Sequence, residues 1–106
     1  MASKRLLTTT SVATSGSSGV LVELDVSSVV DVMILLTPAG QNLTAVSIEA
    51  DAGNGQWGEY ALTIAPLAAG STSRPIELTN LAASRIRVKA TAAGVGTCRV
   101  TAYGRE

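Results

Sequence analysis

Histidine and phenylalanine are absent from this chain of 106 residues, and cysteine occurs once. The aromatic side chains are Trp57, Tyr60 and Tyr103 alone. Each shortage closes off a class of function. Without histidine, the usual general base and the commonest metal ligand are missing. A lone Cys98 forms neither an internal disulfide nor a cysteine-based zinc site. Most hydrolase and metalloenzyme designs are thereby removed, no cofactor is implied, and no pair of base and nucleophile suggests an enzyme. Charge is scarce too, at 15% of residues against 46% hydrophobic. The core must be built from valine, leucine, isoleucine and alanine, and much of the surface from serine and threonine.

Long apolar runs are also lacking. The longest candidate, 29–36, carries Asp31 and is followed by Pro38, well short of the roughly 18 apolar residues of a membrane span. No membrane partner is expected. The start has Lys4 and Arg5 but no apolar stretch of the kind a secretory signal uses, which predicts synthesis in the cytosol. Asn42-Leu43-Thr44 matches the glycosylation sequon, and without a secretory route the match is incidental.

Charge balances in total but not along the chain. Between Leu6 and Ser73 every charged residue is acidic (Glu23, Asp25, Asp31, Glu49, Asp51, Glu59). From Arg74 onward, Arg74, Arg85, Arg87, Lys89, Arg99 and Arg105 face only Glu77 and Glu106. Halves of opposite sign invite pairing, between strands of one sheet or between neighbouring subunits. A net charge of zero argues against electrostatic capture of nucleic acid or anionic lipid.

What is present is a period of two. Residues 1–18 are rich in Ser and Thr and run into "SGSSG", a linker composition, which predicts a flexible N-terminal arm ahead of a domain over 19–106. Strands follow at 19–26 with Val20, Val22, Leu24 and Val26 inward, at 29–37, and at 43–51 with Val46, Ile48 and Ala50 inward. Further strands are expected at 60–65, at 76–81 with Ile76, Leu78 and Leu81 buried, and as a final hairpin at 84–92 and 97–103. In that hairpin Ile86, Val88, Ala90, Cys98, Val100 and Ala102 point inward. A helix over 80–93 conflicts with Gly94, with β-branched Ile86, Val88 and Thr91, and with the alternating charges. Seven short strands with turn signals between them predict an all-β fold, a single antiparallel β-sandwich of jelly-roll or immunoglobulin-like topology.

Candidate sites are few. "DAGNGQWGEY", residues 51–60, reads as a corner before it reads as a binding loop. Asp51, Asn54 and Glu59 do not have calcium-loop spacing, and Gly53, Gly55 and Gly58 lack the Lys and Ser/Thr of a phosphate loop. Trp57 near Tyr60 suits three roles: covering the end of an aliphatic core, anchoring a subunit contact, or stacking on a sugar ring. Arg85, Arg87, Lys89 and Arg99, with Tyr103, line the outer face of the expected hairpin. Salt bridges to Glu23, Asp25, Glu49 or Asp51 account for that basic face better than nucleic acid does. Glu23 with Asp25, and Glu49 with Asp51, share a strand face as glycosidase carboxylates would, but are expected as solvated surface. Cys98 is expected as a buried, inert thiol. The 29–37 strand is apolar on both faces. Met33 and Leu35 on its outer side therefore mark association.

Three stretches, "MASKRLLTTTSVATSGSSG", "VSIEADAGNGQWGEY" and "IELTNLAASRIRVKATAAGVGTCRVTAYGRE", together give a chain that resembles the small β-sandwich virion structural proteins of tailed bacteriophages, of the head-decoration or head-fibre type. The last stretch is similar to the terminal hairpin of jelly-roll domains. The resemblance implies a virion protein, made in the host cytoplasm, that self-associates, often as a trimer, and binds the major capsid protein or another virion protein. It transfers no site residues. Met33, Leu35, Trp57 and Tyr60 are then the expected interface, with the 1–18 arm ordering on assembly and adding a strand to a neighbour. The competing expectation is a carbohydrate-binding or host-contact module using Trp57 and Tyr60.

Overall fold

The computed structural model describes residues 4–14, 18–59, 66–73, 75–92 and 94–106. Their strands are β1 (Lys4–Thr14), β2 (Ser18–Asp25), β3 (Asp31–Ala39), β4 (Leu43–Asp51), β5 (Trp57–Glu59), β6 (Ile76–Leu78), β7 (Arg85–Ala92) and β8 (Gly96–Arg105). There is no helix among the described residues. The strands form two antiparallel four-stranded sheets, β1-β8-β3-β6 and β2-β7-β4-β5, packed face to face as a β-sandwich. Among the described strands, every consecutive pair except β4 and β5 is split between the two sheets, the order of the double Greek key of a jelly roll.

Alternation builds the core as the composition requires. Ile34, Leu36, Ile48, Ile86, Val88, Cys98, Val100 and Ala102 are fully enclosed between the sheets, and Ile76, Leu78 and Leu81 close one side. Pro38 sits inside β3, although the sequence suggests a turn there. It is tolerated because β6 pairs with β3 only from Val32 to Ile34, so the missing N–H faces the 70–73 segment and breaks no ladder. That segment bonds to β3 through the Gly70 N–H to the Pro38 carbonyl at 2.7 Å and the Ser73 N–H to the Leu36 carbonyl at 2.8 Å.

Some expected orientations change. Val20 is 47% exposed while Leu21 is buried, the reverse of the simple alternation. A register shift between Val20 and Val22 inserts an extra residue and flips the start of β2. Residues Lys4–Thr14, expected within a flexible arm, form β1, paired along β8 from Lys4 opposite Arg105 to Thr14 opposite Gly96. The Thr-rich composition suits an edge strand as well as a linker. The strand expected at 60–65 lies outside the described residues.

The last two strands are not a hairpin. β7 pairs with β2 and β4, whereas β8 pairs with β1 and β3, in the other sheet. A short glycine-containing link and period-two flanks look alike whether the chain turns back in one sheet or arches to the next. Packing decides between them here. Gly96 opens β8 hard against the β3–β4 corner, where an added Cβ would lie 2.4 Å from the Ala39 carbonyl oxygen and 2.7 Å from Cγ of Gln41.

Candidate functional site

The arch places the basic residues on opposite sides of the molecule. Arg85, Arg87 and Lys89 stand on the outer face of the β2-β7-β4-β5 sheet, while Arg99 stands on the outer face of the other. The single basic face expected of Arg85, Arg87, Lys89 and Arg99 therefore does not exist, because β7 and β8 belong to different sheets. Tyr103 goes with Arg99.

On the β7 side, register sets charges in rows across the strands: Asp25, Arg85, Asp51 and Trp57, then Glu23, Arg87, Glu49 and Glu59. Arg85 reaches Asp51 at 2.5 Å and Glu23 at 3.6 Å, while Arg87 reaches Glu49 at 2.5 Å and Lys89 reaches the same carboxylate at 3.8 Å. Acidic strands of the first half thus neutralise basic strands of the second within one chain. Each exposed pair adds about 0 to 1 kcal/mol, so the face is held in register more than it is strengthened.

Asp51 departs from the solvated role expected of it. Its side chain is fully covered, by its own turn and by Arg85. One carboxylate oxygen accepts the N–H of Gly53 at 2.8 Å and of Gly55 at 3.1 Å. Gly53 and Gly55 take φ of 121° and 80°, which side-chain-bearing residues rarely adopt. The Gly53 N–H, then the Arg85 guanidinium, hold the Asp51 carboxyl below its usual range. Residues 51–59 are therefore a corner built around one buried carboxylate.

Trp57 follows from that corner. It pairs with Asp51 on the outer face, and the Arg87 and Arg85 guanidinium carbons lie 4.1 and 5.1 Å from its ring centroid, a cation–π stack. It also borders an open groove of about 470 Å³ with Asn54, Gln56, Ala82 and Ala83. Tyr60, expected beside it, lies outside the described residues.

The β8 side is different in kind. Its rows run Leu6, Tyr103, Met33 and Glu77, then Thr9, Thr101 and Leu35, then Ser11, Arg99 and Thr37. Met33 and Leu35 are half-buried by their cross-strand neighbours, and Leu6 is 51% exposed. Hydroxyls meet across strands: Thr9 and Thr101 at 3.5 Å, Thr37 and Thr72 at 2.9 Å. Among the described residues, its charges are exposed Arg99, Glu77 on the edge strand beside Met33, and one end where Arg105 approaches Asp31 at 3.8 Å. A groove of about 240 Å³ crosses that end between Met33, Glu77, Thr79 and Tyr103. The structure thus brings Met33 and Leu35 together with Leu6 and Tyr103, and sets them on the opposite side of the sandwich from Trp57. Leu6 was legible only as a linker residue, because nothing local shows that β1 completes this sheet.

Among the described residues no cluster of metal-ligating side chains occurs. Cys98 is fully buried, and burial pushes its thiol pKa up. No family model and no curated protein matches the chain. Among solved structures it is similar to a chain from Bacillus endospore appendages, described as forming a novel family of disulfide-linked pili, at 15% identity and a TM-score of 0.53 over 97% of this chain and 87% of that one. It is also similar to a chain of infectious bursal disease virus, strain Gx, at 9% identity and a TM-score of 0.49, over 99% of this chain and 31% of that one. A third similarity is to a variant of chitosan-binding module 1 of a Paenibacillus chitosanase/glucanase, at 17% identity and a TM-score of 0.46, over 92% and 96%. At 15% identity the likeness to the appendage chain is one of fold.

Proposed function

We propose that the chain is a non-enzymatic structural subunit of an extracellular or virion assembly, associating with copies of itself through the outer face of the β1-β8-β3-β6 sheet. The observation that carries this reading is the contrast between the two outer faces. On one, Arg85, Arg87 and Lys89 are all paired with carboxylates of neighbouring strands. The other presents Leu6, Tyr103, Met33 and Leu35 beside cross-strand hydroxyl pairs, with Arg99 and, at the edge beside Met33, Glu77 as its charges away from the Asp31–Arg105 end among the described residues. An apolar and hydroxyl-bearing sheet face is suited to burial against another surface. The fold shared nearly end to end with the Bacillus appendage chain supports a building-block role. Contacts would be non-covalent, because the sole cysteine is enclosed in the core. In its specific form the assembly is a bacteriophage particle, the oligomer a trimer, and the further partner the capsid shell. Nucleic acid is disfavoured, since Arg85, Arg87 and Lys89 are already engaged by carboxylates.

Replacing Met33 and Leu35 together by glutamate tests the face. The variant should keep its β-sheet circular dichroism and lose its assembled mass; an unchanged mass would remove this face from the interface.

A second reading draws on Trp57 at the rim of its groove beside Asn54 and Gln56, an aromatic with amides as a carbohydrate module uses. Against it, guanidinium groups already occupy ring surface that a sugar would need. A glycan array comparing the wild type with Trp57→Ala separates the readings: Trp-dependent binding supports the carbohydrate module, and no such binding supports the structural subunit.

A further inference from the structure

We propose that Asn54 is a site of self-modification by deamidation, and that the buried carboxylate of Asp51 sets its pace by holding the Gly55 N–H. Of the three asparagines, Asn42 and Asn80 precede leucine, whereas Asn54 precedes Gly55. The reaction is attack by the following backbone nitrogen on the asparagine side-chain amide. A side chain beside that nitrogen hinders the approach, and glycine has none. An added Cβ at Gly55 would meet nothing within 4 Å, so the approach is open in the fold as well. Asn54 itself is exposed.

The corner prepares one reactant and restrains the other. The Asn54 side-chain oxygen accepts the Gln56 N–H at 3.1 Å, an Asx turn that draws electron density from the amide carbon to be attacked. The attacking Gly55 nitrogen must first lose its proton. That N–H is donated to the Asp51 carboxylate at 3.1 Å. A hydrogen bond to a carboxylate favours the protonated donor, and a negative charge beside the nitrogen opposes its becoming an anion. Asp51 is enclosed, shares the same oxygen with the Gly53 N–H at 2.8 Å, and has its other oxygen bound by Arg85 at 2.5 Å. The restraint on Gly55 is thus fixed in place and charged.

The chemistry needs water alone. Hydroxide takes the Gly55 amide proton, and the nitrogen bonds to Cγ of Asn54. The side-chain nitrogen then leaves as ammonia, taking a proton from water and regenerating hydroxide, and a succinimide closes across residues 54 and 55. Water opens that ring at either carbonyl. One opening leaves an aspartate, which still offers Gln56 an acceptor. The other leaves an isoaspartyl link, which lengthens the backbone within the turn and shifts Gly55 relative to Asp51. Either product adds a negative charge to a chain whose net charge is zero, at the groove rim beside Trp57.

The test incubates the whole chain at mildly alkaline pH and follows each asparagine by peptide mapping. Loss of ammonia marks the succinimide, and exchange of NH2 for OH marks its products. Asn54 should be modified ahead of Asn42 and Asn80. The folded wild type should react roughly tenfold or more slowly than the same chain in denaturant, the factor a hydrogen bond to a charged group supplies. Asp51→Ala should recover most of that factor. Gly96→Ala strains the sandwich against Ala39 and Gln41, away from this corner, and so controls for lowered stability; it should react as the wild type does. Should Asp51→Ala fail to fold, amide hydrogen exchange in the wild type decides, because it reads the same loss of a proton: the Gly55 N–H should exchange many-fold more slowly than in the denatured chain. The proposal is overturned by modification first at Asn42 or Asn80, by an Asp51→Ala rate equal to the wild type's, or by a Gly96→Ala rate matching that of Asp51→Ala. A Gly55 amide that exchanges as freely as in the denatured chain overturns it too.

Discussion

Asp51 is the residue on which the corner depends. Its pKa lies below its ordinary value of 3.8, so the sign of its pH dependence is set. The stabilisation is complete above the unfolded-state pKa of about 3.9 and is lost as pH falls through the lower folded-state value. Asp51→Asn should therefore lower Tm at neutral pH, and the gap to the wild type should close in thermal melts taken progressively below pH 4. A gap that stays constant down to strong acid would show that the carboxylate is not what holds the turn. Gly96→Ala forces a Cβ onto the Ala39 carbonyl and should cost about 2 kcal/mol, or roughly 10 °C in Tm. The inward positions of Ile86, Val88, Val100 and Ala102 could be read from alternation, since a strand's period of two leaves little choice. The burial of Asp51 could not. Its partners are backbone N–H groups that exist only once Gly53 and Gly55 adopt positive φ, and composition carries no sign of that.

Among the elements, β1 and β8 differ most from what local sequence suggests. Period-two alternation identifies strands without saying which sheet they join, so β7 and β8 look like one hairpin although each pairs elsewhere. For the same reason the Arg99 position could not be separated from Arg85, Arg87 and Lys89 in advance. The Ser/Thr-rich start reads as a linker because β1 buries so little of itself, and its strand character comes from β8. Deleting residues 1–14 should expose the backbone of β8, lower Tm and promote precipitation. A synthetic peptide spanning residues 4–14 should restore the melting temperature in a concentration-dependent way. A truncated chain as stable as the full one would show that β1 contributes nothing to β8.

For the whole molecule, the two faces divide the work. Among the described residues five ion pairs, from Arg85, Arg87, Lys89 and Arg105 to Glu23, Asp31, Glu49 and Asp51, are satisfied within one chain, and a net charge of zero leaves little to steer partners. On the proposed reading association falls to the outer face around Met33 and Leu35, and it should survive added salt, because apolar burial is not screened as exposed charges are. The solution mass of the purified protein, measured by light scattering behind a sizing column across concentration and salt, puts this to the most direct trial. A salt-insensitive trimer or larger species that falls to monomer in the Met33→Glu, Leu35→Glu variant is the outcome expected of a self-assembling structural subunit. A strict monomer at every concentration, or an assembly unmoved by that variant, would contradict it.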